Sequence, residues 1–144
     1  LDLSTTSFNE VLTSFAKDVD ADIYVLTHAT APFIGTHTFE KAIEAVKSGM
    51  YDSALSVKKL QEFLWKDGKP FNYCVEKIPR TQDLEPYFTE TCGMYVYTKD
   101  VISKEKRRIG HTPYSVEVSE IEACDINTEE DFVIANAIAS AMKL

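Results

Sequence analysis

Apolar residues at Phe8, Val11, Leu12, Phe15, Ala16 and Val19 recur at helical spacing and predict a helix over residues 7–19. Ser4, Thr5, Thr6 and Ser7 stand just before it as cap residues. The period then changes. IYVLT (23–27) is a short continuous apolar run after an Asp-rich turn, the pattern of a strand buried on both faces. HATAPFIGTH, with Pro32 and Gly35, predicts a loop. TFEKAIEAVK (38–47) predicts an amphipathic helix, with Gly49 placed for its C-terminal cap.

Residues 53–57 are β-like, and 63–71 hold Asp67-Gly68, a two-residue turn signal. Residues 78–90 carry Pro79 and Pro86 with mixed polarity and predict an ordered loop or short helical turn. GMYVYT (93–98) predicts a strand, 101–106 a short helix and 114–118 another strand. The run before Asp125 predicts a last strand, and 128–142 a closing helix. Thr128 is its cap, Asp131 returns the capping bond, and Phe132, Ile134, Ala135, Ile138 and Met142 form the expected buried stripe. Strands alternating with helices imply an α/β fold: a mostly parallel open sheet with flanking helices. Residues 1–144 make one domain, with an antiparallel hairpin excursion at about residues 53–90.

The 144 residues, 44% of them hydrophobic, suffice for a single core. A net charge of −8 argues against a nucleic-acid partner, which needs a basic surface. The run from Lys104 to Arg108 reads as a solvated helix end. Cys74, Cys92 and Cys124 are far apart without a CxxC pair, so neither a zinc site nor a disulfide framework is expected, and a reducing cytoplasm suits them. No apolar run has the length of a membrane span, and no membrane partner is expected.

The chemistry concentrates at two places. Asp125 and Asn127 are two apart, so on an extended backbone their side chains point to one side. A carboxylate and an amide oxygen beyond a strand's carboxyl end suit a hard divalent cation holding phosphates; equally, the pair reads as a helix cap. His28 and Thr30 follow the strand at 23–27, with Pro32 stiffening the turn. His28 reads either as a ligand contact or as a structural histidine. Arg80, Gln82 and Asp83 offer either a cation for an anionic substrate or an exposed ion pair. The aromatics Tyr73, Tyr87, Phe88, Tyr95 and Tyr97 read as core or interface. No GxSxG, HExxH, P-loop or GxGxxG motif occurs.

Three segments, in order, resemble the acylneuraminate cytidylyltransferases (CMP-sialic acid synthetases). They are VLTHATAPF (25–33), where the family commonly has VLLQPTSPL; PRTQDLEPYFTETCGMYVY (79–97), similar to its RRQDL segment and following strand; and ACDINTEEDFVIAN (123–136), similar to DIDTPEDL. The resemblance implies a nucleotide-diphospho-sugar transferase-like fold and a reaction. In it, an acidic nonulosonic sugar attacks the α-phosphate of CTP with Mg²⁺ present, giving a CMP-sugar and pyrophosphate. It further implies a catalytic and metal-binding role for Asp125, with Asn127 at the second metal position. Substrate contacts would come from His28, Thr30, Arg80, Gln82 and Tyr95, within a homodimer.

This sequence departs from the pattern at Asn127 for aspartate, His28 for glutamine, and Thr81 and Thr89 for arginines. The first weakens a cation site by Coulomb reasoning, and the last two remove positive charge available to a sugar carboxylate. The family's opening phosphate loop, of the type ARGGSKG, has no counterpart here, so an inactive fragment is expected. Two other readings stand beside it: a non-catalytic sugar-binding or dimerising module, and another sugar nucleotidyltransferase of the same fold.

Overall fold

The computed structural model describes residues 6–143; Ser4 and Thr5, offered above as caps, lie outside them. Helix α1 spans Phe8–Asp18 and opens with a capping box: Ser7 Oγ accepts from Glu10 N–H while Glu10 accepts from Ser7 N–H. Strand β1 is Ile23–Thr27 and helix α2 is Thr36–Lys47. Gly49, at φ 77°, turns the chain off the end of α2 as expected. Strand β2 (Ser53–Leu60) leads into a small hairpin, β3 (Trp65–Lys66) and β4 (Lys69–Pro70). Asp67 (φ 52°) and Gly68 (φ 75°) both take left-handed backbone, as a tight two-residue hairpin turn requires. Strand β5 is Tyr87–Thr98, β6 is Pro113–Glu117 and helix α3 is Glu129–Met142.

The main sheet has the order β1-β5-β2-β6. Strand β5 runs antiparallel to both β1 and β2, and β2 runs parallel to β6. Three strands therefore share one direction and β5 opposes them, giving an α/β fold with an open mixed sheet in which only the β2–β6 pairing is parallel. Alternation along the strands sorts the core. Ala54, Met94, Val96 and Val116 pack with Ala42 and Val46 of α2 on one face. Leu55, Tyr95 and Tyr97 pack with Leu12 of α1 and with Val101 and Ile102 on the other.

The pairing registers divide β5 into two parts. Residues 94–98 pair with β1, and 95–97 with β2, inside the sheet. Residues 87–90 pair only with β2, over Val57 to Leu60, as a two-stranded ribbon that carries the hairpin. A bulge separates the parts where the register shifts between Leu55 and Val57, opposite the left-handed Cys92 (φ 57°). Buried Ser56 fills the gap in the ladder: its hydroxyl accepts from Met94 N–H (3.1 Å) and Thr91 Oγ1 (2.7 Å).

Four expectations change. Among the described residues strand β1 is an edge strand, paired with β5 alone, and Val25 is 48% exposed. Strand β5 begins at Tyr87 rather than Gly93; within 78–90 only Thr81–Asp83 forms a helical turn. No strand precedes Asp125, since residues 119–124 form turns closed by Ala123 N–H to Ser119 O and Cys124 N–H to Ile121 O. Helix α3 has the predicted Thr128–Asp131 capping box, but only Ala135 of its apolar stripe is buried, while Phe132, Ile134 and Met142 are exposed.

Candidate functional site

The loop after β1 is seated from below. Ala31 N–H donates to His28 O and closes a turn, and Thr27 Oγ1 donates to Gly93 O. Gly93 permits the close approach: a Cβ there would lie 2.9 Å from Ile34 Cδ1 and 3.3 Å from Ala31 Cβ. Two clusters then meet at residues 28–30.

The first is acidic. Ile126 N–H donates to Thr30 O at 2.9 Å, fixing the 125–127 turn beside the loop. Asn127 Nδ2 donates to Asp125 Oδ2 at 2.8 Å, so the two side chains do share one side, held by a turn instead of a strand. Asp125 Oδ1 is buried and has no hydrogen-bond partner. Among the described residues no three His, Cys, Asp or Glu side chains converge to hold a metal on their own. A magnesium ion held by one carboxylate and by substrate phosphates fits Asp125 and its free oxygen. Asn127 presents its amide nitrogen to that carboxylate and orients it. Asp131 is committed to the α3 cap, where hydrogen bonds from Asn127 N–H and from Thr128 hold its carboxyl below the usual range.

The second cluster is aromatic and basic, on the α1 face. The His28 ring lies 5.4 Å from Phe8 and 6.5 Å from Tyr95, centroid to centroid, with Nε2 buried and unpartnered. The Tyr95 hydroxyl donates to Glu90 Oε2 at 2.7 Å and accepts from Arg108 Nη2 at 3.0 Å. Burial, and then the bond to Glu90, push this hydroxyl far above the usual tyrosine range, so it stays protonated. The Arg108 guanidinium carbon sits 3.8 Å over the Tyr95 ring and 5.4 Å from that of Phe8.

Arg80 and Gln82 do not join either cluster. Arg80 makes a bidentate pair with Asp83 at 2.8 and 3.1 Å and is exposed; Gln82 O accepts from Gln61 Nε2 at 3.1 Å. Gln61 follows β2, whereas Tyr95 pairs with Leu55 inside the sheet, so Gln82 is held at the outer end of the ribbon.

Phe8, Glu90 and Arg108 were not singled out from the sequence. Phe8 was counted into a helical face and Arg108 into a solvated basic run. The signal for Arg108 lay just beyond it, in Gly110. A Cβ at Gly110 would come within 2.3 Å of the Asp52 carboxylate, which accepts from the backbone N–H of His111 (2.6 Å) and Thr112 (3.1 Å). That clamp turns the basic run back against the sheet. Burial opposes ionisation of Asp52, but the hydrogen bonds from His111, Ser53 and Thr112 outweigh it and hold the carboxyl below its ordinary value.

No family model matches the chain. Solved structures do resemble it in fold. The 4-diphosphocytidyl-2C-methyl-D-erythritol synthase of Anaerococcus prevotii superposes with a TM-score of 0.67 at 14% identity, over 94% of this chain and 68% of that one. CMP:2-keto-3-deoxy-manno-octonic acid synthetase in complex with CTP gives 0.65 at 18% identity, over 98% and 70%. The 2-C-methyl-D-erythritol 4-phosphate cytidylyltransferase of Thermus thermophilus gives 0.56 at 12% identity, over 92% and 69%. At such identities the likeness is one of fold: the chain has the architecture found in cytidylyltransferases that differ in their acceptors.

Proposed function

We propose that this protein is a nucleotidyltransferase of the CMP-sialic acid synthetase type, joining CMP from CTP to an acidic nonulosonic sugar. The anomeric hydroxyl oxygen bonds to the α-phosphorus, the bond from that phosphorus to the α–β bridging oxygen breaks, pyrophosphate leaves and the hydroxyl proton is released. The observation that carries the reading is the buried, unpartnered Oδ1 of Asp125 beside the loop of His28 and Thr30. The cytidylyltransferase fold supports it, as does a neighbour whose own acceptor is a 2-keto acid sugar. Asp125 would hold Mg²⁺ with the phosphates, Asn127 orients its carboxylate, and His28, Thr30 and Tyr95 line the acceptor side. Magnesium bound there would supply charge neutralisation at the phosphate oxygens.

Arg80 and Gln82 reach an acceptor in this scheme across a homodimer, carried by the projecting ribbon. Phe63, Trp65, Phe71, Val75, Ile78 and Phe88 are all exposed on that arm, an apolar surface suited to a second copy. The free cysteines accord with a cytoplasmic setting.

Pyrophosphate release by the full-length gene product, with CTP, Mg²⁺ and a panel of nonulosonic acids, tests the reaction. Turnover with at least one acid is expected. Binding of an acid without turnover would favour a sugar-binding module, and turnover only with non-acidic acceptors would favour another nucleotidyltransferase. Asp125→Ala is expected to lower turnover by at least about a hundredfold while thermal unfolding stays near wild type, because removing a metal-site carboxylate costs several kcal/mol of transition-state stabilisation. Near-normal turnover in a folded variant would return Asp125 to a purely structural turn.

A further inference from the structure

We propose that Arg108, with His28 beside it and Phe8 as its roof, forms the subsite for the acceptor's carboxylate. The inference rests on the acidic-sugar reading above and assigns the group that recognises the acid.

The chain delivers Arg108 by an abrupt reversal. The wide helical turn Val101–Glu105 ends at Lys106 in left-handed conformation (φ 55°), and Asp52 grips the loop again at His111 and Thr112. Between these anchors, Arg107 pairs with Glu105 at 3.1 Å and Arg108 folds onto Tyr95. The Arg108 side chain is only 23% exposed.

A guanidinium this covered ordinarily has a carboxylate in bidentate contact. Here the nearest carboxylate among the described residues is Glu90 at 4.0 Å, beyond hydrogen-bond reach, and the same oxygen of Glu90 already accepts a hydrogen bond from the Tyr95 hydroxyl at 2.7 Å. Only one Arg108 side-chain hydrogen bond, to Tyr95, is formed among the described residues. The guanidinium borders a cleft of about 450 Å³ lined also by Ser7, Asn9, Glu90 and Gly110. His28, whose buried Nε2 also lacks a partner, packs against the same two rings that flank Arg108.

The arrangement is a mostly covered cation with spare donors, backed by aromatic faces and adjoined by an imidazole. A planar carboxylate matches the guanidinium fork, and its hydroxyl-bearing neighbour atoms suit the imidazole. Loop 28–30 links this subsite to Thr30 and hence to Asp125. The cation absent at Thr81 and Thr89 is thereby supplied from a different loop.

The test is calorimetric binding of N-acetylneuraminic acid, of its methyl ester and of the anionic phosphate of an otherwise uncharged sugar, to the full chain and to Arg108→Met and Arg108→Lys. Wild type should prefer the acid over the ester by at least about tenfold, the scale of one charge-assisted hydrogen bond. Arg108→Met should bind acid and ester alike, and Arg108→Lys should recover part of the preference. Circular dichroism of both variants establishes folding, and Arg108→Lys keeps the test valid if Arg108→Met does not fold. An acid preference unchanged in either folded variant would overturn the subsite while leaving the sugar reading intact. Wild type that binds neither acid nor ester would overturn both. Loss in Arg108→Met of sugar phosphate binding, with the acid unaffected, would overturn the carboxylate assignment.

Discussion

The two halves of β5 live under different rules. From Met94 to Tyr97 every residue is buried, flanked by strands on both sides and covered by α1 on one face and α2 on the other. From Tyr87 to Glu90 every residue is exposed, with a single neighbour strand. The chain is continuous through both, and the Cys92 bulge is the boundary. Its effect is to let one strand serve a rigid core and a projecting arm, with Tyr95 just inside the boundary and Glu90 just outside it. The hydrogen bond between those two spans the bulge.

Breaking the boundary should have the largest effect. Ser56→Ala leaves Met94 N–H without its buried partner and the Thr91 hydroxyl with only its 3.4 Å bond to Ser56 O, and an unsatisfied buried donor costs about 1–3 kcal/mol. A loss of about 1–3 kcal/mol in urea unfolding is expected; a loss under about 0.5 kcal/mol would mean that the bulge is held by other contacts.

A middle-sized effect belongs to the rigid side. Glu122 accepts from Thr38 Oγ1 (2.6 Å) and Gly35 N–H (3.1 Å) at the start of α2. Burial raises its pKa, but these hydrogen bonds and those from Ser119 prevail, so the folded carboxyl titrates below its ordinary value. A depressed folded pKa contributes stability that is fully present above the unfolded value and lost as pH falls through the folded one. Melting temperature should therefore fall between about pH 6 and about pH 3, and fall less steeply in Glu122→Gln. Equal slopes would remove Glu122 from the linkage.

The smallest stability effect is expected on the arm. Trp65→Ser and Phe88→Ser together should leave monomer stability within about 0.5 kcal/mol, since both side chains are more than half exposed. The same pair should convert the proposed homodimer to a monomer by light scattering. A mass unchanged by the substitutions would divorce the arm from association.

These contrasts also explain what could be read from residues alone. The caps at Ser7 and Thr128 and the Asp67-Gly68 turn are local, with their partners within a few positions, and they stand as expected. The outer half of β5 was hidden by Pro79, Pro86 and mixed polarity, because its pairing comes from β2, far away in sequence. The stripe on α3 obeyed the helical period, yet periodicity does not say whether a neighbour exists to bury it. Asp125, Asn127, His28 and Thr30, singled out by type and spacing, lie together because the Ile126–Thr30 backbone bond joins their two loops. Arg108 depends on Lys106, Gly110 and Asp52 acting together, a relation that no local pattern contains.

The Asp52 clamp has a consequence for how selectivity can change. Lys106 fixes one foot of the loop by its backbone, and the clamp fixes the other from Gly110 to Thr112. Of the residues between them, Ile109 packs against the core, while Arg108 borders the cleft. In the proposed subsite, a new side chain at 108 would present a different charge to the acceptor from a loop whose two feet stay fixed, so acceptor choice and loop anchoring are free to evolve on separate schedules.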